Sequence, residues 1–124
     1  MIPPIASNFV AGESPAAALD HTARTNDDDV KVILNLLGEH YEEPENAAAD
    51  TKAYRALVRD IADSDVDACI SVKPSQIGLD IGDDVFTSNY RSIVETAQDA
   101  GVFVWCDMED ADTTDVTLDA FEEF

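Results

Sequence analysis

Lysine is almost missing from this 124-residue chain, which has only Lys31, Lys52 and Lys73; all basic residues together number 7 against 27 Asp and Glu, for a net charge of −20. A surface of that sign repels phosphate backbones and anionic headgroups, which argues against nucleic acid and anionic membranes as partners. Long apolar runs are absent as well. No stretch nears the roughly 20 residues that a membrane-spanning helix needs, and no basic segment leads into an apolar one as in a secretory leader. The two cysteines, Cys69 and Cys106, form no C-x-x-C and have no histidine at metal-ligand spacing. They read as small core residues of a reducing compartment, so the chain is expected in the cytoplasm, with a peripheral position at the membrane as the variant of that expectation. Glycine is sparse. Gly12, Gly38 and Gly78 are separated by whole elements and make no phosphate-cradling G-x-G-x-x-G.

What is present excludes disorder. Hydrophobic residues make up 45% of the chain and fall in periodic segments, while the acids are spread over faces and loops. An acidic, lysine-poor surface on an ordinary core resembles proteins of high-salt cytoplasms, where dense counterions screen self-repulsion.

Three apolar, β-branched runs end in polar or acidic residues: about 30–36, 68–73 and 102–107. They are expected to be strands. Met1–Ala6 reads as an extended lead-in and Asn8–Glu13 as a short extended piece. Ser14-Pro15 is an N-cap followed by proline at the first helical position, with a helix expected to about Arg24. A second helix is expected over about 46–63, where Tyr54, Leu57, Val58 and Ile61 form one apolar stripe. A third, over about 84–100, carries Tyr90, Ile93, Val94 and Ala97, with Gly101 at the C-cap position. Thr113 or Thr114 is expected to cap a fourth helix bearing Val116, Leu118 and Phe121, in which the chain stops at Phe124.

Alternating strands and amphipathic helices imply an α/β fold with a parallel sheet. Counting by twos places Val32, Leu34, Ile70, Val72, Val102, Val104 and Cys106 against the helices, and Ile33, Asn35, Ser71, Lys73, Phe103, Trp105 and Asp107 on the other face. Cys69 and Cys106 then lie on opposite faces, and no disulfide is expected between them. A parallel sheet needs both faces covered, so the expectation is a piece of a larger barrel or a chain that another chain completes.

Lys73 closes the second strand and Asp107 the third. Read from the residues alone, a snorkelling lysine and a pocket lysine are even alternatives for Lys73, and a turn cap is the better reading of Asp107. The acidic run Asp107-Met108-Glu109-Asp110 has no paired histidine, so no metal site is expected; His40 reads as a solvated loop histidine and His21 as a helix-surface one.

Four segments resemble the proline dehydrogenase family in order and spacing: Phe9-Val10-Ala11-Gly12-Glu13; Leu36-Leu37-Gly38-Glu39; Ile70-Ser71-Val72-Lys73 with Gln76-Ile77-Gly78-Leu79; and Val102-Phe103-Val104 with Asp107-Met108-Glu109-Asp110. The resemblance covers almost the whole chain. It implies that residues 1–124 are the N-terminal portion of a distorted (βα)8 barrel, cut in mid-helix at the C-terminus. It further implies FAD as cofactor, oxidation of L-proline to Δ1-pyrroline-5-carboxylate by hydride transfer to the flavin, and a quinone or other acceptor for the electrons. By the same resemblance Lys73 is a catalytic and substrate-binding residue and Asp107 a catalytic one, while most FAD contacts and the arginines for the proline carboxylate belong to the absent part. Two positions depart from the family pattern: Pro74 stands where leucine is usual and Asn35 where aspartate is common. The alternative from another class is an inactive barrel fragment or regulatory remnant without cofactor; a third reading, an unrelated barrel enzyme, is disfavoured by the motif order.

Overall fold

The computed structural model describes residues 11–124. The lead-in at 1–6 and residues 8–10 of the extended piece at 8–13 lie outside them. Chain order is α1 (Pro15–Asn26), β1 (Val32–Leu34), α2 (Pro44–Ser64), β2 (Ala68–Val72), α3 (Asp83–Ala100), β3 (Val104–Cys106) and α4 (Thr114–Glu123). The three strands form one parallel sheet in the order β1-β2-β3, with Leu34 beside Ile70 and Val72 beside Cys106.

Local chemistry accounts for the helix starts. The Ser14 hydroxyl accepts the Ala17 N–H at 3.2 Å, with Pro15 at the first helical position. Pro44 opens α2 in the same way, two residues earlier than the periodicity places the start. Gly101 ends α3 at φ 71°, the left-handed conformation a C-cap glycine takes cheaply. At the N-terminal end of the sheet, the Asn26 amide donates to the carbonyls of Val30 and Asp67 and accepts the Asp67 N–H at 2.8 Å. One side chain thereby holds the starts of β1 and β2 together.

The core lies between the sheet and the helices. Tyr54, Leu57, Val58 and Ile61 of α2 and Phe86, Tyr90, Ile93 and Ala97 of α3 are buried against Ile70 and Val72. Each large aliphatic side chain among them, and Phe86, contributes roughly 1.5–3 kcal/mol when removed from water. The opposite face is open: Ile33, Phe103 and Trp105 are 57%, 55% and 48% exposed, and the last two rings meet edge to face at 5.1 Å. The period-2 assignment of faces therefore holds, and both cysteines are free thiols.

Two expectations need correction. β1 and β3 are shorter than 30–36 and 102–107, because each is an edge strand paired on one side only. In α4, Leu118 and Phe121 are exposed while Thr117 and Ala120 are buried, and neither threonine caps the helix through its side chain. The Thr113 and Thr114 hydroxyls donate instead to the Asp110 carbonyl, and Thr117 is made compatible with burial by donating to the Thr113 carbonyl at 2.8 Å.

Candidate functional site at the strand ends

The polar groups converge past the C-terminal ends of the strands. β2 ends at Val72, and Pro74 begins a single 3₁₀ turn over Pro74–Gln76. Proline costs nothing in sheet pairing there, because pairing has already stopped. On the neighbouring strand, the Asp107 N–H still donates to the Val72 carbonyl at 2.8 Å. Lys73 and Asp107 thus close adjacent parallel strands on one face, as the counting by twos places them.

Lys73 does not, however, bond to Asp107. Its ammonium donates to Glu39 Oε2 at 3.1 Å, reaching across to the loop after β1. That hydrogen bond is the main reason the Lys73 pKa is raised, with the charges of Glu39, Glu109 and Asp107 adding to it against partial burial. The same bond holds the Glu39 carboxyl below its usual range. Lys73 therefore remains an ammonium at any ordinary pH, a source of positive charge rather than a base.

Beneath this pair lies a buried polar layer. Tyr54, from α2, accepts the Leu36 N–H at 3.0 Å and directs its one proton toward the Ser71 carbonyl at 3.0 Å or Gln76 Oε1 at 3.1 Å. The Gln76 amide donates to the Leu36 carbonyl and to Asp50 Oδ2. Burial pushes the Tyr54 phenol up to about 12, so it stays a neutral donor. Gly38, at φ 146°, runs against the Tyr41 hydroxyl and the Gln76 amide, where any Cβ would collide. That contact explains a glycine before Glu39.

His40 is exposed, as the sequence implies, but it has a partner that the sequence does not show. Its Nδ1 lies 2.8 Å from Asp80 Oδ2, a hydrogen bond that raises its pKa. Glu109, taken as one acid of a chance run, accepts from both the N–H and the hydroxyl of Ser75. Of the 27 acidic residues, all but Asp50 and Glu109 are exposed, and both of these accept hydrogen bonds from buried groups. Donor atoms of Glu39, His40 and Glu109 lie within 4.8 Å of one another, which corrects the expectation that no histidine stands beside the acidic run. Lys73, Asp80 and Ser75 already engage these three groups, so they are satisfied without an ion.

A parallel sheet with a helix after each strand, and charge gathered past the strand ends, belongs to the α/β class whose sites sit at that end. The comparisons with known proteins specify the family. The family model described as proline dehydrogenase matches residues 18–124. Proline dehydrogenase 2 of Bacillus subtilis is 29% identical over 119 residues, 96% of this chain and 39% of its own length. The proline dehydrogenase of Deinococcus radiodurans is 31% identical over 120 residues, 94% of this chain and again 39% of its own. Among solved structures, proline utilization A of Bdellovibrio bacteriovorus, inactivated by N-propargylglycine, superposes with a TM-score of 0.82 at 23% identity, covering 96% of this chain and 15% of that one. The chain belongs to the proline dehydrogenase family, and it spans about two fifths of the length of the curated relatives it matches. Among the described residues no helix is long and apolar enough to cross a membrane.

Proposed function

We propose that residues 1–124 supply the first three βα units of an FAD-dependent proline dehydrogenase barrel that oxidises L-proline to Δ1-pyrroline-5-carboxylate. The observation that carries the reading is the placing of Lys73 and Asp107 at the ends of adjacent strands, with the Asp107 N–H on the Val72 carbonyl. Among the residues present, the Lys73 ammonium held by Glu39 beyond the strand ends is the group that fits an anionic edge of a flavin, while Ile33, Phe103 and Trp105 on the inward face are barrel core that the remaining units would cover. When bound, the flavin supplies the two-electron acceptor that no side chain can provide. Lys73, already charged, directs positive charge toward the proline carboxylate or the flavin. Glu39 orients that ammonium, and Asp107, exposed at the end of the adjacent strand, adds negative charge near it.

Other parts of the reading rest on composition. The net charge of −20 supports a high-salt cytoplasmic setting. That electrons pass on to a quinone or another acceptor is what membership of the family implies. A second reading, a remnant without cofactor, draws on the uncovered inward face of the sheet.

The test is proline oxidation coupled to a dye acceptor, by the protein with its remaining βα units and FAD. Lys73→Ala is expected to lower substrate binding and turnover together, and Asp107→Ala to lower turnover while the fold persists. Wild-type kcat/KM in both variants would overturn the roles given to them. The 124-residue chain alone is expected neither to bind FAD nor to oxidise proline; a yellow, soluble monomer from it would refute the partial-barrel reading.

A further inference from the structure

Ser75 has 1% of its surface exposed although it sits in the loop after β2, beyond the last strand residue. Four hydrogen bonds meet on it. Its N–H donates to Glu109 Oε2 at 2.9 Å and its hydroxyl to Glu109 Oε1 at 2.8 Å. The same hydroxyl oxygen accepts the His40 N–H at 2.9 Å, and the Ser75 carbonyl accepts the Tyr41 N–H at 3.1 Å. The loops after β1, β2 and β3 are therefore joined through one residue. Only a hydroxyl can donate to the carboxylate and accept the amide at once from a side chain this short.

The clamp lies next to the charged pair in sequence as well as in space. Glu39 directly precedes His40, and Lys73 stands two residues before Ser75. His40 is held at φ 54°, a left-handed conformation that a non-glycine residue adopts at a cost and keeps only when its surroundings enforce it. The Ser75 hydroxyl holds its backbone, and Asp80 holds its ring at 2.8 Å. Once the backbone of His40 is fixed, so is the direction from which Glu39 reaches Lys73.

We propose that Ser75 and Glu109 are positioning residues, which set the Glu39–Lys73 pair by clamping the three strand-end loops together. The consequence for proline oxidation rests on the pocket role of Lys73 proposed above; the clamp itself does not. Lys73 is faced by Glu39 from the loop after β1 and by Asp107 and Glu109 from the segment after β3, and Glu39 in turn by His40.

The experiment follows the Lys73 side chain by carbon-13 NMR at Cε against pH, in the protein with its remaining βα units in molar KCl; the Lys73 resonance is assigned by its loss in Lys73→Arg, and Lys31 and Lys52 serve as internal references. Ser75→Ala is expected to move the Lys73 midpoint downward, toward that of a free lysine, and leave the other two in place. Ser75→Thr, which keeps the hydroxyl, is expected to restore it. Glu109→Asp keeps the charge but withdraws the carboxylate from Ser75, and serves where Ser75→Ala fails to fold; it is expected to act in the same direction. A Lys73 midpoint unmoved in folded Ser75→Ala or Glu109→Asp overturns the clamp. In the assembled enzyme, Ser75→Ala is expected to lower kcat/KM for proline about tenfold, as loss of alignment does. A moved midpoint with unaltered turnover upholds the clamp and overturns the pocket role of Lys73, so the two failures are told apart.

Discussion

Tyr54→Phe removes one oxygen atom from the layer beneath the strand ends and leaves the packing of the ring unchanged. The side chain is fully buried, so no water replaces the hydroxyl directly. Three groups lose a partner: the Leu36 N–H at 3.0 Å, the Ser71 carbonyl at 3.0 Å and Gln76 Oε1 at 3.1 Å. The donor dominates, because an unsatisfied buried N–H costs about 1–3 kcal/mol whereas a carbonyl retains a second lone pair. Leu36 is half-buried, which places the expected loss near the middle of that range, about 1.5 kcal/mol. Urea is the denaturant of choice, since it is uncharged and leaves the ionic strength set by KCl constant through the titration. With a slope of about 1.5 kcal/mol per molar, the midpoint in molar KCl is expected to fall by about 1 M at unchanged slope. A midpoint within about 0.3 M of wild type would refute the account of Tyr54 as the link between β1, β2 and α2.

Other outcomes follow from the same geometry. Melting temperature is expected to rise from dilute buffer to molar KCl, as the Debye length shrinks from about 30 Å to about 3 Å; a constant value would remove the electrostatic reading of the surface. Ile61→Ala, at a position 2% exposed, is expected to cost about 2–5 kcal/mol, and Leu118→Ala, at 42% exposure, less than about 0.5 kcal/mol, by thermal unfolding; equal losses would contradict the burial of α4 described above. The His40 pKa is raised above 6.5 by Asp80, so the pair's stabilisation is fully present below that value and is lost as pH rises through the folded-state pKa. The stability difference between wild type and His40→Gln should accordingly shrink as pH rises from 6. A difference that grew instead would show that His40 is not held as an imidazolium by Asp80.

Much of the fold was legible without coordinates because it depends on short-range periodicity. Alternation at Val32, Leu34, Ile70 and Val72 sets which face meets the helices, and the stripe from Tyr54 to Ile61 sets the buried side of α2. The same counting places Lys73 and Asp107 on one face at adjacent strand ends. Tertiary structure alone decided three further matters. The extent of β1 and β3 depends on having a hydrogen-bonded neighbour, which residue type does not encode. The face of α4 is set by what it meets: Phe124 packs edge-on against Tyr90 at 6.1 Å, which brings Ala120 and Thr117 inward over the more hydrophobic Leu118 and Phe121. Most consequential, the partners of Lys73 and Ser75 are each 34 residues distant, Glu39 on one side and Glu109 on the other. Among 27 acids the sequence offers no means of choosing those two. Which carboxylate a cation meets depends on the register of neighbouring strands and the path of the loops beyond them, and only the folded chain brings these together.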